Sequence, residues 1–267
     1  MHGRHFEGSK ILASLTLILL VCSFIMLSLH WQTSPVPLIS RGIMLFWLFL
    51  AIIFCIVMFK EFIIGYLFCV FCMLIGWRIS AMYDNYSMYP LLFAFIFLSA
   101  NFIYSAYLNL SYPEKYLHAL SLSDWQLVFI RLYLGFDFVP HFTEKLFAGV
   151  APHMVDVNAF IQLGVPYPDF FVWLAGCCEL GAAIALGLGF MMRIGALGTV
   201  IYLFIATYLG HHFDLGFIWA NEGGGWEFAT MWMILILSFA FTGWHAFSID
   251  QYLEDQFKLP QFVKKLL

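Results

Sequence analysis

A chain of 267 residues that is 63% hydrophobic and only 10% charged has too little polar surface to cover a water-soluble globule of its size, so it reads as an integral membrane protein. Its formal net charge of -4 supplies no basic stripe for neutralising phosphates, which argues against nucleic acid as a partner. The six cysteines sit in apolar runs and not in loops, which argues against a disulfide framework.

Arg4 and Lys10 precede an apolar run over residues 11–29. It is longer than a signal-peptide core and its exit, SLHWQTSP, lacks a small-x-small cleavage site, so it is expected to persist as a first helix. Further runs near the ~20 residues that cross ~30 Å of hydrocarbon follow at 42–59, 62–77, 89–108, 125–142, 170–192, 194–209 and 226–242. The expected fold class is therefore all-α: a polytopic membrane protein with about eight transmembrane helices. Lys60 and Glu61 form a tight hairpin between the second and third spans, and Pro90 suits the first turn of the fourth.

Residues 1–110 then form an N-terminal four-helix region, and 111–124 (SYPEKYLHALSLSD) an interfacial linker with Tyr116, Leu117 and Leu120 on one face and Asp124 as N-cap of the fifth span. Residues 125–247 form a second four-helix bundle. The tail, 248–267, opens with a Ser248 to Gln251 capping box, continues as an interfacial helix and breaks at Pro260. Five glycines precede residue 125 and fifteen follow it, so the first bundle is expected to face lipid loosely and the second to pack tightly. With the N-terminus inside, Arg4, Lys10, Lys60, Lys115, Arg193, Lys258, Lys264 and Lys265 lie in the cytoplasm, against Arg41, Arg78 and Lys145 outside. The expected placement is a bacterial inner membrane with both termini cytoplasmic.

The sixth span, FVWLAGCCELGAAIALGLGF, carries a carboxylate. Ala175, Glu179, Ala183 and Gly187 recur at four-residue spacing and share one helix face, so Glu179 points where helices touch. Facing lipid it would cost roughly 3 kcal/mol or more, so it must be protonated, paired, or turned to a polar cavity. Asp137, His141 and Lys145 recur at the same spacing in the fifth span, where Pro140 is expected to bend the outer end. Together with His211, His212, Asp214 and Glu227 they fall in the outer half of the membrane. Glu179 lies about 15 Å below Asp169, near mid-depth. The expected result is a polar well open to the outer face, with His141, Lys145, Glu179 and Glu227 as its main ligand candidates and His212 and Arg131 as secondary ones. Arg131, two turns into the cytoplasmic half, either snorkels inward or meets an acidic group. The segment 153–171, with Val155, Phe160 and Leu163, is expected to close over the well as a lid.

The motifs RLYLG (131–135), PHFTEKLFAG with His141 and Lys145, LGVPYP, the Glu179 helix followed by LGLGFMMR, the YLGHH turn, GGGWE ending in Glu227, and SID at 248–250 occur in order across residues 125–250. In this combination the chain resembles the DoxX family of four-helix membrane proteins, some of which are linked to thiosulfate:quinone oxidoreductase. Phe142 stands where that family usually has a small residue after the histidine. The resemblance implies a DoxX-like four-helix bundle at the C-terminal end. It also implies a membrane subunit or auxiliary of a quinone-linked oxidoreductase system, with quinone as the ligand and a membrane or periplasmic redox protein as partner, besides the lipid bilayer. The alternatives are a small-solute or proton-coupled transporter using Glu179 and the outer histidines, and a non-catalytic scaffold.

Simpler readings stand beside these. Glu179 with Lys145 or Arg131 can be an ion pair that fixes bundle geometry. His141, His211 and His212 can hold a metal or haem, but adjacent histidines diverge by about 100° on a helix and no H-E-x-x-H is present, so neither group is expected. Cys69 and Cys72 form a mid-span C-x-x-C whose burial mutes it, and Cys177 and Cys178 read as packing. Trp31, Trp77, Trp125 and Trp226 read as an interface belt.

Overall fold

A computed structural model describes residues 6–242, 246–257 and 260, and within these the chain is helical with no strand. The elements are α1 (Lys10–Leu29), α2 (Leu38–Val57), α3 (Phe62–Met82), α4 (Met88–Ser111), a 3-10 turn (Pro113–Lys115), α5 (Leu122–Phe136), α6 (Phe138–Leu146), α7 (Val150–Gln162), α8 (Pro168–Ala182) continuing as a π-helical segment (Ala183–Leu188), α9 (Met192–Leu209), α10 (Glu227–Thr242) and α11 (Ile249–Gln256).

Among the described residues, six helices are long and apolar enough to cross a membrane: α1 to α4, α8 with its π segment, and α9. The eighth predicted span falls on the shorter α10, and the fifth falls on two helices instead of one. The cause of that division is Pro140. Its ring excludes the carbonyl four residues back, which belongs to Phe136, and α5 ends at that residue. Pro140 itself then sits in the first turn of α6, where its missing N–H leaves no bond unmade. Asp137 occupies the joint. The break precedes the proline, so the outer end, expected to bend, is a separate helix.

The first bundle is less lipid-facing than its composition suggests. Of the most apolar stretch of α3, 72% is buried, against 28% for both α1 and α2. Helix α3 packs on α2 and α4 and also on α6, the π segment and α11, so it runs between the two halves of the molecule. Phe71 of α3 stacks near Phe142 at 5.9 Å between ring centroids, and Phe142 lies 5.9 Å from Phe147. Fully buried Phe142 therefore fills the seam with the N-terminal helices. Arg78 pairs with Glu144 across the same seam, and Ser40 and Tyr83 both donate to the Ala148 carbonyl, at 2.9 and 2.7 Å.

The end of the molecule at which α1 and α5 begin is closed by an aromatic cluster around Phe247, whose ring lies 5.1 Å from Phe6, 5.2 Å from Phe102 and 5.7 Å from Trp125. Trp125 is buried there and is not part of an interface belt. The N-cap of α5 is Ser121, with Asp124 completing a capping box from inside the first turn, so Asp124 is the partner of the cap and not the cap. The tail helix starts at the expected Ser248, whose Oγ accepts from Gln251 N at 3.0 Å. The expected basic contacts of Lys258, Lys264 and Lys265 and the remainder of the tail around Pro260 lie outside the described residues, as does Arg4.

Gly135 and Gly187 allow α5 and the π segment to cross with backbones touching: a Cβ on Gly135 would lie 2.0 Å from Gly187 N. The π geometry leaves carbonyls of its last turn turned outward, and Arg131 collects them. Its Nη1 donates to Leu186 O at 2.6 Å and its Nη2 to Phe247 O at 2.7 Å. Asp250 completes the junction by accepting from Met191 N and Met192 N, at 2.9 and 3.1 Å, which satisfies the free amides at the start of α9.

Candidate functional site

Glu179 lies on the enclosed face of α8 and is only 6% exposed. Its Oε2 is 3.1 Å from Lys145 Nζ at the end of α6, and its Oε1 accepts from the Tyr202 hydroxyl of α9 at 2.6 Å. Lys145 also donates to the His141 carbonyl at 3.3 Å. A cation, a phenol and a carboxylate thus meet at the centre of three helices. The charge contact explains how an apolar helix tolerates an acid at this depth.

Beside this triad opens a cavity of about 220 Å³ lined on its polar side by Asp137, His141, Glu179, Tyr202, Thr207 and His212. The opposite wall is aromatic. His212 lies 5.6 Å from Trp219, Trp219 5.6 Å from Phe228, Phe228 5.3 Å from Trp232, and Trp232 5.6 Å from Phe138, measured between ring centroids. His212 Nδ1 faces the Gly224 carbonyl at 2.9 Å, so in the neutral ring Nδ1 carries the proton and Nε2 keeps its lone pair.

Of the residues singled out from the sequence, His141, Glu179 and His212 line this cavity, and Lys145 braces Glu179 from behind it. Glu227 does not line it. At the first turn of α10 its Oε2 accepts from Trp219 N at 3.2 Å, and it holds the loop that carries the aromatic wall. Arg131 is also apart: fully buried at the other end of α5, it meets backbone carbonyls and takes no part in the polar well. Asp137, Tyr202, Thr207 and the aromatic wall complete the lining. Tyr202 escapes a search for charges because it sits in the apolar run TVIYLFIATY. Its position three residues after Thr199, on the side of α9 that faces α8, is the only signal for it.

The expected lid is a different structure. α7 lies against α8 and α6 with His153 and Val157 buried, while Val155 is 69% exposed. His153 pins it, with Nε2 2.9 Å from Asp169 Oδ1 and Nδ1 2.8 Å from Lys145 O. None of its residues line the polar cavity, whose aromatic side is covered by the 216–227 loop and α10. The amphipathic reading therefore missed the buried face of α7, since Val155 and Leu163 are exposed and Phe160 half-buried where they were expected to close inward. Asp156 of the same helix has a buried Oδ2 without a hydrogen-bond partner, and burial raises its carboxyl above the usual range against the pull of the Lys145 ammonium. Among the described residues no group of three or more His, Cys, Asp or Glu is placed to hold a metal ion. Cys69 and Cys72 are buried in α3, whereas Cys177 and Cys178 are exposed on α8.

These elements carry the motifs that resembled a family, and the comparison with family models agrees with them. Residues 126–212 match the family model for DoxX. The DoxX match covers α5 to α9 and ends at His212, so it contains Asp137, His141, Lys145, Glu179 and Tyr202 but stops short of α10 and the aromatic wall. Searches of curated proteins and of solved structures returned no match.

Proposed function

We propose that the chain is the membrane subunit of a quinone-linked oxidoreductase system, sited in a bacterial inner membrane with both termini cytoplasmic, and that the polar cavity is where the quinone head group binds. The observation that carries this reading is the Lys145–Glu179–Tyr202 triad at the base of a cavity with imidazole and carboxyl groups on one side and aromatic rings on the other. Flat aromatic walls suit a planar ring, and a few convergent polar groups fix its orientation.

Reduction of a quinone to a quinol takes two electrons and two protons. The electrons come from a partner redox protein, and the protons need groups beside the quinone oxygens. His141, His212 and Asp137 line the cavity and supply the imidazole and carboxyl groups that pass protons to them. Tyr202 is positioned by Glu179 and can donate a hydrogen bond to an oxygen only by leaving that carboxylate, which Lys145 then holds alone. With Glu227 fixing the Trp219 loop, the aromatic wall is held in place as the ring arrives.

Native purification in mild detergent, followed by mass spectrometry of extracted small molecules and bound proteins, tests this directly. The expected result is quinone enriched over the surrounding lipid. The Glu179→Gln and Tyr202→Phe variants are each expected to retain about tenfold less, the scale of one lost hydrogen bond to a charged group. A chain that carries no quinone and binds no quinone analogue, alone or with its co-purified partners, removes the reading. Uptake of solute into proteoliposomes that depends on Glu179 would replace it with transport.

A further inference from the structure

A second cavity, of about 360 Å³, lies between α8 and α9. Its lining is nearly all apolar: Phe171, Leu174 and Ala175 from one helix face Gly198, Ile201 and Ile205 from the other, with α7 contributing Phe160 at one end. Phe171 is partly buried, while Leu174, Ile201 and Ile205 are among the exposed apolar side chains, so the groove opens on the surface that these helices turn to lipid. Tyr202 and Ala206 line both this groove and the polar cavity. Only these two side chains are common to both, and one of them is the phenol that reaches Glu179.

We infer that the two cavities are a single site for a single-tailed amphiphile, with its polar ring in the polar cavity and its hydrocarbon tail in the groove between α8 and α9. This rests on the head-group reading above and extends it to the tail and to the route of access, which is sideways from the bilayer.

Three observations support it. At about 220 Å³ the polar cavity falls below the ~300–1,000 Å³ that encloses a whole drug-sized ligand, so it takes a ring but not the chain attached to it. The two linings differ: acids and imidazoles stand beside aromatic rings in one, whereas the other has neither acid nor imidazole among its aliphatic and aromatic carbon, as the two ends of an amphiphile require. Gly198 supplies the third. Glycine in a membrane helix ordinarily marks close approach of a neighbour, as Gly135 does here, yet a Cβ on Gly198 would meet nothing within 4 Å. The notch is open space on a helix face, and a tail is the occupant that fits its place beside the head-group cavity. Because lipid is as apolar as the groove, the groove adds little hydrophobic drive of its own. Its effect is to hold a tail already tethered to a bound head.

The test compares one protein against its variants with the same two probes, decylubiquinone and its tail-less parent ubiquinone-0, titrated in nanodiscs of fixed lipid composition so that membrane partitioning cancels. Gly198→Leu projects into the groove from a Cβ position that meets nothing within 4 Å, and it favours the helix. It is expected to weaken decylubiquinone by about tenfold or more while leaving ubiquinone-0 within about twofold. Gly198→Ala is expected to fall between. Gly181→Leu, also in open space but lining neither cavity, changes neither affinity and controls for folding. An unchanged decylubiquinone affinity in Gly198→Leu, or equal loss of both probes, overturns the inference while the head-group reading stands, and shows the groove to hold ordinary acyl chains. Failure of both probes to bind the unaltered chain overturns the two together.

Discussion

Lys145→Met is expected to lower the stability of the folded chain by about 3–5 kcal/mol, the penalty for leaving a buried carboxylate without its cation. The side chains of Lys145 and Glu179 are 11% and 8% exposed, so water cannot replace the lost partner. Tyr202 still donates to Oε1, but one neutral hydrogen bond does not offset an uncompensated charge in an apolar bundle. The double variant Lys145→Met with Glu179→Gln removes both charges and is expected to recover most of the loss, because a neutral amide keeps the tyrosine bond. Reversible unfolding in mixed micelles measures all corners of this cycle. A single Lys145→Met variant as stable as the unaltered chain would mean that the lysine turns away to water and that the pair carries no weight.

Arg131→Met is expected to cost about 2–6 kcal/mol, since two buried carbonyls, Leu186 O and Phe247 O, lose charge-assisted donors. The damage should appear first at the end of the molecule that holds the tail helix. Phe247 sits in the aromatic cluster and Asp250 caps α9, so loosening the Phe247 carbonyl frees the tail helix and uncaps its neighbour. Limited proteolysis is expected to cut near residues 246–257 in the variant before any other site, together with a lower thermal midpoint. Equal protection of the tail in both proteins would assign Arg131 no such clamping role.

Membrane character and the order of the helices could be read from apolar length, and the place of Glu179 from its spacing with Ala175 and Ala183. Spacing also brought out Asp137, His141 and Lys145, but it assumed one continuous helix. The chain breaks at Asp137, yet His141 and Lys145 stay one turn apart on α6; Asp137 and His141 line the cavity while Lys145 reaches Glu179 beside it. What stayed hidden was pairing between distant segments. An amphipathic pattern says that α7 has a buried face without settling which side it is or which helix covers it, and Glu227 looked like a ligand because nothing in its own surroundings showed that Trp219 N would use it. Arg131 was expected to snorkel inward or to meet an acidic group, and Asp250 does lie within its electrostatic reach. Its hydrogen bonds go to the Leu186 carbonyl in the π segment and the Phe247 carbonyl far along the chain, and no residue pattern announces either. The burial of α3 was hidden for a similar reason, since a helix apolar on every side reads the same whether lipid or protein surrounds it.

The central position of α3 bears on any attempt to work with the matched stretch by itself. Cut out at 126–212, it would lose the Phe71 ring and the Arg78 cation on one flank, uncovering Phe142 and taking from Glu144 its partner. On the other flank Trp232 and Phe228 would be gone, and Asp137 and His141 would open to solvent. An excised fragment of that length should precipitate or associate with itself, so biochemistry on this protein calls for the full-length polypeptide.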